Sequence, residues 1–316
     1  MQLLKVSVGV VKNPEGQVLI SLRDKLAHQG DLWEFPGGKI EHGETAEQAL
    51  VRELKEELAL TVISSTPLIT INHQYSDIAV QLIVFSVDNY SGEAKGCEGQ
   101  AIKWINPTEL KNHQFPAANQ PIITAAQLPS CYAILDDADE ALLIENLGKI
   151  ISRGIKLIQL RLKNTSPQLL ERFLSQASPL CRQSEVKLLM NSGVMDAANY
   201  ELNGIHLTRQ ELMSINKRPA FPLANSKYPY WIAASCHNEQ ELQHAQTVGV
   251  DFVVLAPVLT TKTHPNAEPL GWEQFKKLVS QVNLPVYALG GLSECDVNKA
   301  QQAGGQGIAA IRTFLE

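Results

Sequence analysis

Glu53, Glu56 and Glu57 stand at i, i+3 and i+4, so on a helix their three carboxylates project from one face. Like charges so placed repel unless something cationic lies between them. Hard oxygen donors select Mg²⁺, with Mn²⁺ as the substitute, and magnesium keeps its waters and bridges to phosphate oxygens. The cluster reads either as a metal site for a polyphosphate or as a solvated acidic helix face, the commoner fate of three glutamates so spaced, and the spacing alone leaves both open. Arg52, one turn before Glu56, is placed to orient a carboxylate. Upstream lies the run Gly37-Gly38-Lys39-Ile40-Glu41-His42-Gly43-Glu44.

Such a helix must be held against a sheet. The spacing predicts it at about 45–58, with strands at 5–12, 17–22, near 66–74, 78–88 and 101–105, and a short helix at about 121–127. This half is α+β. Pro107, Pro116, Pro121 and Pro129 then punctuate the chain, and the boundary is placed there, giving domains 1–129 and 130–316. Beyond it β-rich runs recur at Tyr132–Leu135, Lys156–Leu162, Val186–Met190, Gly204–Leu207, Trp231–Cys236, Asp251–Ala256, Pro285–Leu289 and Gly307–Ile311. Amphipathic stretches at Ala138–Ser152, Pro167–Gln183, Glu239–Val248 and Trp272–Val282 suit crossover helices. Eight strands alternating with helices describe an α/β TIM-type (β/α)8 barrel.

Composition narrows the class. At 316 residues with 44% hydrophobic and 19% charged residues, the chain suits two globular domains. A formal net charge of −6 argues against a protein that coats nucleic acid, whose affinity comes from clustered Lys and Arg. The five cysteines lack any C-x-x-C pair and suit reduced thiols, so a cytoplasmic protein is expected. No signal peptide is expected, and the run Ile78–Val87, broken by Gln81, is too short to span a membrane. Oligomeric state stays open.

Gly38, Glu44, Arg52, Glu53, Leu54, Glu56, Glu57 and Leu60 fit the pattern G-x5-E-x7-R-E-U-x-E-E, and on these residues the first 128 or so resemble the Nudix hydrolases. Ala59 departs from the pattern where the family usually has Gly to let the chain turn. Leu32–Glu41, Lys95–Gln100 and Phe115–Pro121 are similar to the MutT type, the 8-oxo-dGTP diphosphatases. That resemblance implies an oxidised purine nucleoside triphosphate as substrate, cut to the monophosphate and pyrophosphate by attack at the β-phosphorus. It implies Mg²⁺ held by Glu53, Glu56, Glu57, Glu98 and a backbone carbonyl near Gly38, with Glu44 and Arg52 in the catalytic set. Arg23, Phe35, Gly37, Gly38, Lys39, Tyr75 and Asn119 then bind substrate, with Arg23 and Asn119 on the base. Asn119 carries both a donor and an acceptor, as reading a purine edge requires; a turn or cap role before Pro121 is its alternative.

The second half resembles thiamine phosphate synthase and its relative TenI, a thiazole tautomerase, at Gln159–Lys163, Gly204–Leu207, Ala256–Val258 and Leu289–Leu292. The resemblance implies a thiamine-precursor phosphate as ligand. Candidate residues are Arg161, Lys163, Asn191, His237 at the TenI histidine, and Gly290 and Gly291, whose N–H groups suit a phosphate. The synthase pattern is broken at Ser192, which stands for a metal-binding Asp, at Leu162 for Glu, and at His264 for Lys. Synthase chemistry is therefore not expected, and tautomerase activity or a noncatalytic binding or regulatory role stays open. His237/His244 and His206/His264 lack metal-ligand spacing. An alternative for the whole chain is a hydrolase of damaged thiamine diphosphates.

Overall fold

Alternation in the first strand, β1 (Leu3–Val11), places Val8 and Val10 in one core and Val11 in another. The computed structural model describes residues 3–26, 28–191, 202–220, 230–261 and 267–315, so Ser192 and His264 lie outside the described residues. β1 is central in a four-stranded sheet of order β4-β1-β6-β5, formed with β4 (Gly37–Lys39), β5 (Thr61–Gln74) and β6 (Ala79–Ser91). It runs parallel to β6 and antiparallel to β4. A second sheet has the order β3-β2-β7, from β2 (Val18–Leu22), β3 (Trp33–Glu34) and β7 (Ile102–Ile105).

Helix α1 (Ala46–Leu58) buries Ala49, Leu50, Leu54 and Leu58. It lies close on β1, because a Cβ at Gly9 would stand 3.2 Å from the Leu50 and Leu54 side chains. Its start is fixed twice. Thr45 and Gln48 form a capping box, and the Ser7 hydroxyl donates to the Ala46 carbonyl at 2.6 Å. It ends at Ala59 in the left-handed conformation, φ 58°, with the Ala59 N–H returned to the Leu54 and Lys55 carbonyls.

Sequence reading placed the start of β5 five residues late and did not anticipate β3 or β4. Register shifts at Val62/Ser64, Ser64/Thr66 and Pro67/Ile69 break the alternation at the start of β5, and an edge position lets the strand hold Pro67. A short helix, α2 (Gln120–Gln127), ends this unit. By its internal contacts the chain divides into Met1–Gln127 and Leu128–Glu316.

In the second unit eight parallel strands close into a barrel in chain order: β8 (Cys131–Asp136), β9 (Leu157–Arg161), β10 (Lys187–Asn191), β11 (Gly204–Leu207), β12 (Trp231–Cys236), β13 (Phe252–Leu255), β14 (Val286–Leu289) and β15 (Gly307–Ala310). Each coincides with an expected run. Around them lie α3 (Glu140–Ser152), α4 (Pro167–Gln183), α5 (Arg209–Ser214), α6 (Glu239–Val248), α7 (Gly271–Val279) and α8 (Val297–Gln302). Strand alternation sorts the side chains: Ala133 and Leu135 join the core under the helices, whereas Tyr132 and Ile134 join the cluster inside the barrel with Phe252 and Tyr287. The segment before β8 is tied to the barrel by Tyr287, whose hydroxyl donates to the Pro129 carbonyl, and by Gln306, which donates to the Leu128 carbonyl at 3.0 Å.

Candidate active site

Gly38 sits in β4 opposite Ser7, directly beneath α1. A Cβ at Gly38 would stand 2.2 Å from the Glu53 carboxylate, so only glycine lets this strand pass under the acid. On the other side of Glu53, Arg52 gathers several oxygens. Its Nε and Nη2 donate to Glu44 at 2.8 and 2.9 Å, its Nη1 to Glu53 at 2.8 Å and Glu56 at 3.3 Å, and its Nη2 to the Lys39 carbonyl at 3.0 Å. Those bonds hold Glu44 down at about 2, Arg52 first and the Glu41 backbone N–H second, and they raise Arg52 in turn.

The loop 95–100 reaches the same place by capping the end of α1. The Cys97 N–H and Gln100 side chain donate to the Glu57 carbonyl at 2.9 and 3.0 Å, and the Lys95 N–H donates to Leu58 at 3.2 Å. These bonds satisfy helix-end carbonyls and bring Glu98 within electrostatic range of Glu57. Burial pushes Glu57 up to about 8, and the charges of Glu53, Glu34 and Glu98 push it further the same way, against a hydrogen bond from the Gly37 N–H. Glu56 differs. Its side chain is 60% exposed, and its ion pair is with Arg52.

Sequence reading found Glu53, Glu57 and Glu98 but missed Glu34. A single Glu in Trp33-Glu34-Phe35 carries no periodic signal. Burial pushes Glu34 up to about 7, opposed by Arg23, whose guanidinium Nη1 donates to its carboxylate. A group of carboxylates whose charges converge on Glu57, beside a glycine that passes close under Glu53, supplies hard oxygen donors of the kind a divalent cation takes. Among the described residues no three His, Cys, Asp or Glu side chains already converge as a closed ligand cage.

Beside β3 lies an aromatic wall. Phe35 stacks on Phe115 with ring centroids 5.4 Å apart, and both belong to the core that Trp33 and Tyr75 border. Tyr75 meets the rings of His73 and His28 edge-on at 4.4 and 5.0 Å. Lys39 is exposed. Asn119 closes the turn Ala117–Asn119 before α2 and is 8% exposed. Among the described residues its side-chain amide makes no hydrogen bond, and its polar atoms remain open to solvent.

At the carboxyl ends of the barrel strands the charges pair with one another. Arg161 donates to both oxygens of Asp136 at 2.8 and 2.9 Å. Asp137 accepts from the Lys163 N–H at 3.0 Å and from Asn164 and Thr165. The His237 Nδ1 lies 3.0 Å from the buried Glu241 carboxylate, which also accepts from Arg209 at 2.5 Å and Asn238 at 2.8 Å. Among the described residues the Asn191 Oδ1 is buried without a partner. Gly290 and Gly291, at φ 112° and 66°, press on Pro257 and Thr260, where a Cβ would stand 2.9 and 2.3 Å from its neighbour. Inside the barrel Tyr132, His206 and Ser235 form a relay, 3.1 Å to Nδ1 and 2.8 Å from Nε2. Burial pushes His206 down to about 3, so the ring is neutral. This relay was not expected from sequence, because its members lie on three strands.

A mixed-sheet unit carrying a glutamate helix, followed by a closed parallel barrel, defines the class: a pyrophosphohydrolase-type domain joined to a TIM-type barrel. Residues 7–125 match the model of the NUDIX domain, and residues 131–314 match that of thiamine monophosphate synthase. The 8-oxo-dGTP diphosphatase of Escherichia coli strain K12 is 38% identical over 123 residues, 39% of this chain and 95% of that protein. The thiamine-phosphate synthase of Bacteroides fragilis is 30% identical over 179 residues, 55% of this chain and 85% of that protein. A solved structure from work on MutT of Aliivibrio salmonicida and Vibrio cholerae is 32% identical and covers 40% of this chain and 97% of its own, with a TM-score of 0.35. The chain thus belongs to the Nudix family by its first unit, which is a Nudix hydrolase, and to the thiamine monophosphate synthase family by its second.

Proposed function

We propose that the first unit hydrolyses 8-oxo-dGTP to 8-oxo-dGMP and pyrophosphate with Mg²⁺, removing an oxidised guanine nucleotide before it enters DNA; Mn²⁺ is the substitute ion. The observation that carries this reading is Asn119: a residue only 8% exposed whose side-chain amide, among the described residues, makes no hydrogen bond, four positions after Phe115 of the stacked Phe35–Phe115 pair. That amide is free to exchange water for a purine edge, whose donor and acceptor complement its own. Arg23, Tyr75, Gly37 and Lys39 complete the substrate side in this reading.

Glu53, Glu57 and Glu98, with the backbone at Gly38, are the residues that would hold the cation, and Glu56 a more exposed ligand. When bound, the cation neutralises phosphate charge and acidifies water. Arg52 orients Glu53 and, through Glu44 and the Lys39 carbonyl, fixes the strand of Gly38 against the helix. Glu57, pushed up to about 8, carries a proton near neutral pH until positive charge arrives.

The barrel is read as an accessory domain that binds a thiamine-precursor phosphate near Arg161, Lys163, Asn191 and Gly290-Gly291, with His237 as its proton-transfer candidate. All five cysteines are free, which supports the cytoplasm as compartment, and among the described residues no helix is long and apolar enough to cross a membrane. The test is a substrate screen on the full chain with released pyrophosphate as readout, comparing 8-oxo-dGTP, canonical triphosphates and thiamine diphosphate analogues. Strong preference for 8-oxo-dGTP is expected. Preference for the thiamine diphosphates would transfer the function to the alternative.

A further inference from the structure

Glu34 joins two halves of the site that the sequence presents separately. β3 holds it opposite Ser21, and the Arg23 N–H, just past the end of β2, donates to the Leu32 carbonyl at 3.0 Å. Arg23 and Glu34 therefore leave neighbouring strands side by side, and their side chains, 26% and 25% exposed, meet through Nη1. The Arg23 Nε donates to the His28 carbonyl at 3.1 Å, and the His28 ring in turn packs on Tyr75 at 5.0 Å. Three residues beyond Glu34 the same strand segment begins β4 and carries Gly38 under Glu53. Glu34 also acts electrostatically on Glu57.

We propose that Glu34 is a positioning residue that locks the Arg23 guanidinium against the base pocket and so sets nucleotide selectivity. A guanidinium has five N–H donors in a rigid fork. With Nε on His28 and one Nη1 bond on Glu34, the donors of the far edge are left in a fixed direction, suited to the C8 carbonyl oxygen that oxidation adds to a purine. A freely rotating arginine would lose that direction, and the pocket would distinguish nucleotides less. This inference rests on the 8-oxo-dGTP reading above.

The experiment is steady-state kinetics of the full chain with 8-oxo-dGTP and dGTP for wild type, Glu34→Gln, Arg23→Ala and the double variant, beside circular dichroism. Glu34→Gln is expected to lower the preference for 8-oxo-dGTP over dGTP, read as the ratio of the two kcat/KM values, about tenfold, with the selective part of the loss in KM for 8-oxo-dGTP. In the Arg23→Ala background it should add nothing, because the two act as one unit. Should Glu34→Gln not fold, Glu34→Asp keeps the charge, shortens the reach and supplies the same selectivity comparison. A wild type indifferent to 8-oxo-dGTP removes the function and this role together. A selective wild type with an equally selective Glu34→Gln, or additive losses in the double variant, overturns the Glu34 role alone.

Discussion

Replacing Glu57 by Gln should raise the stability of the metal-free protein while destroying its activity, two effects of opposite sign from one atom change. The folded carboxyl is pushed from 4.5 to about 8 by burial and by Glu53, Glu34 and Glu98. A group raised in the folded state lets the protein keep full stability below the unfolded value. That stability is then lost as pH climbs from 4.5 towards 8. At pH 7 the 2.5-unit gap above 4.5, at about 1.36 kcal/mol per unit, sets a ceiling of about 3 kcal/mol on the penalty. Glutamine keeps the acceptor for the Gly37 N–H and carries no charge, so it recovers part of that amount. The assay is denaturant unfolding in EDTA at pH 5 and pH 8 with kcat measured in Mg²⁺. Glu57→Gln should gain on the order of 1–3 kcal/mol at pH 8 and little at pH 5. Its turnover should fall at least about a hundredfold. Equal stability at pH 8, or a rate near wild type, would refute both the repulsion and the role.

Asn119→Ala should lower kcat/KM for 8-oxo-dGTP about tenfold to a hundredfold more than for dGTP, since the lost partner costs roughly 1–3 kcal/mol; equal losses by steady-state kinetics would mark a structural asparagine. Ala59→Gly should stabilise the first unit by on the order of 1 kcal/mol, because an L side chain is strained in the left-handed conformation that Ala59 holds at φ 58°. Unchanged unfolding would show that the turn tolerates the methyl group. The full chain should show no condensation of pyrimidine diphosphate with thiazole phosphate but should bind a thiazole phosphate weakly by calorimetry. Synthase turnover would show that the departures at Ser192, Leu162 and His264 are tolerated.

The acidic helix was legible because its chemistry is local: i, i+3 and i+4 spacing is the geometry of one helix face, and Thr45 marks its start. The barrel was legible for a similar reason, since each strand is a short apolar run with its own bounds. What escaped the sequence is what depends on distant partners. β3 and β4 are two and three residues long and exist only by pairing with β2 and β1. Glu34 gains meaning from Arg23 across a strand pair. Tyr132 and His206 are 74 positions apart, and no periodicity connects them.

The two units distribute charge in opposite ways, and that difference explains how far each can be read. In the first, the charges of Glu53, Glu34 and Glu98 all act on Glu57 with the same sign, and Arg52 and Arg23 each reach only part of the group. That concentration of carboxylates in one place is what the proposed cation site draws on. In the barrel Arg161 is taken up by both oxygens of Asp136, and Glu241 by Arg209, Asn238 and His237. A phosphate arriving at Arg161 finds Nη1 engaged by Asp136 and meets that carboxylate at close range. Binding there is weakened by the repulsion between the two anions. A diphosphate, with more charge to seat, suffers most from that repulsion, so under the proposed reading of the barrel a singly phosphorylated ligand is expected to bind better than a diphosphate.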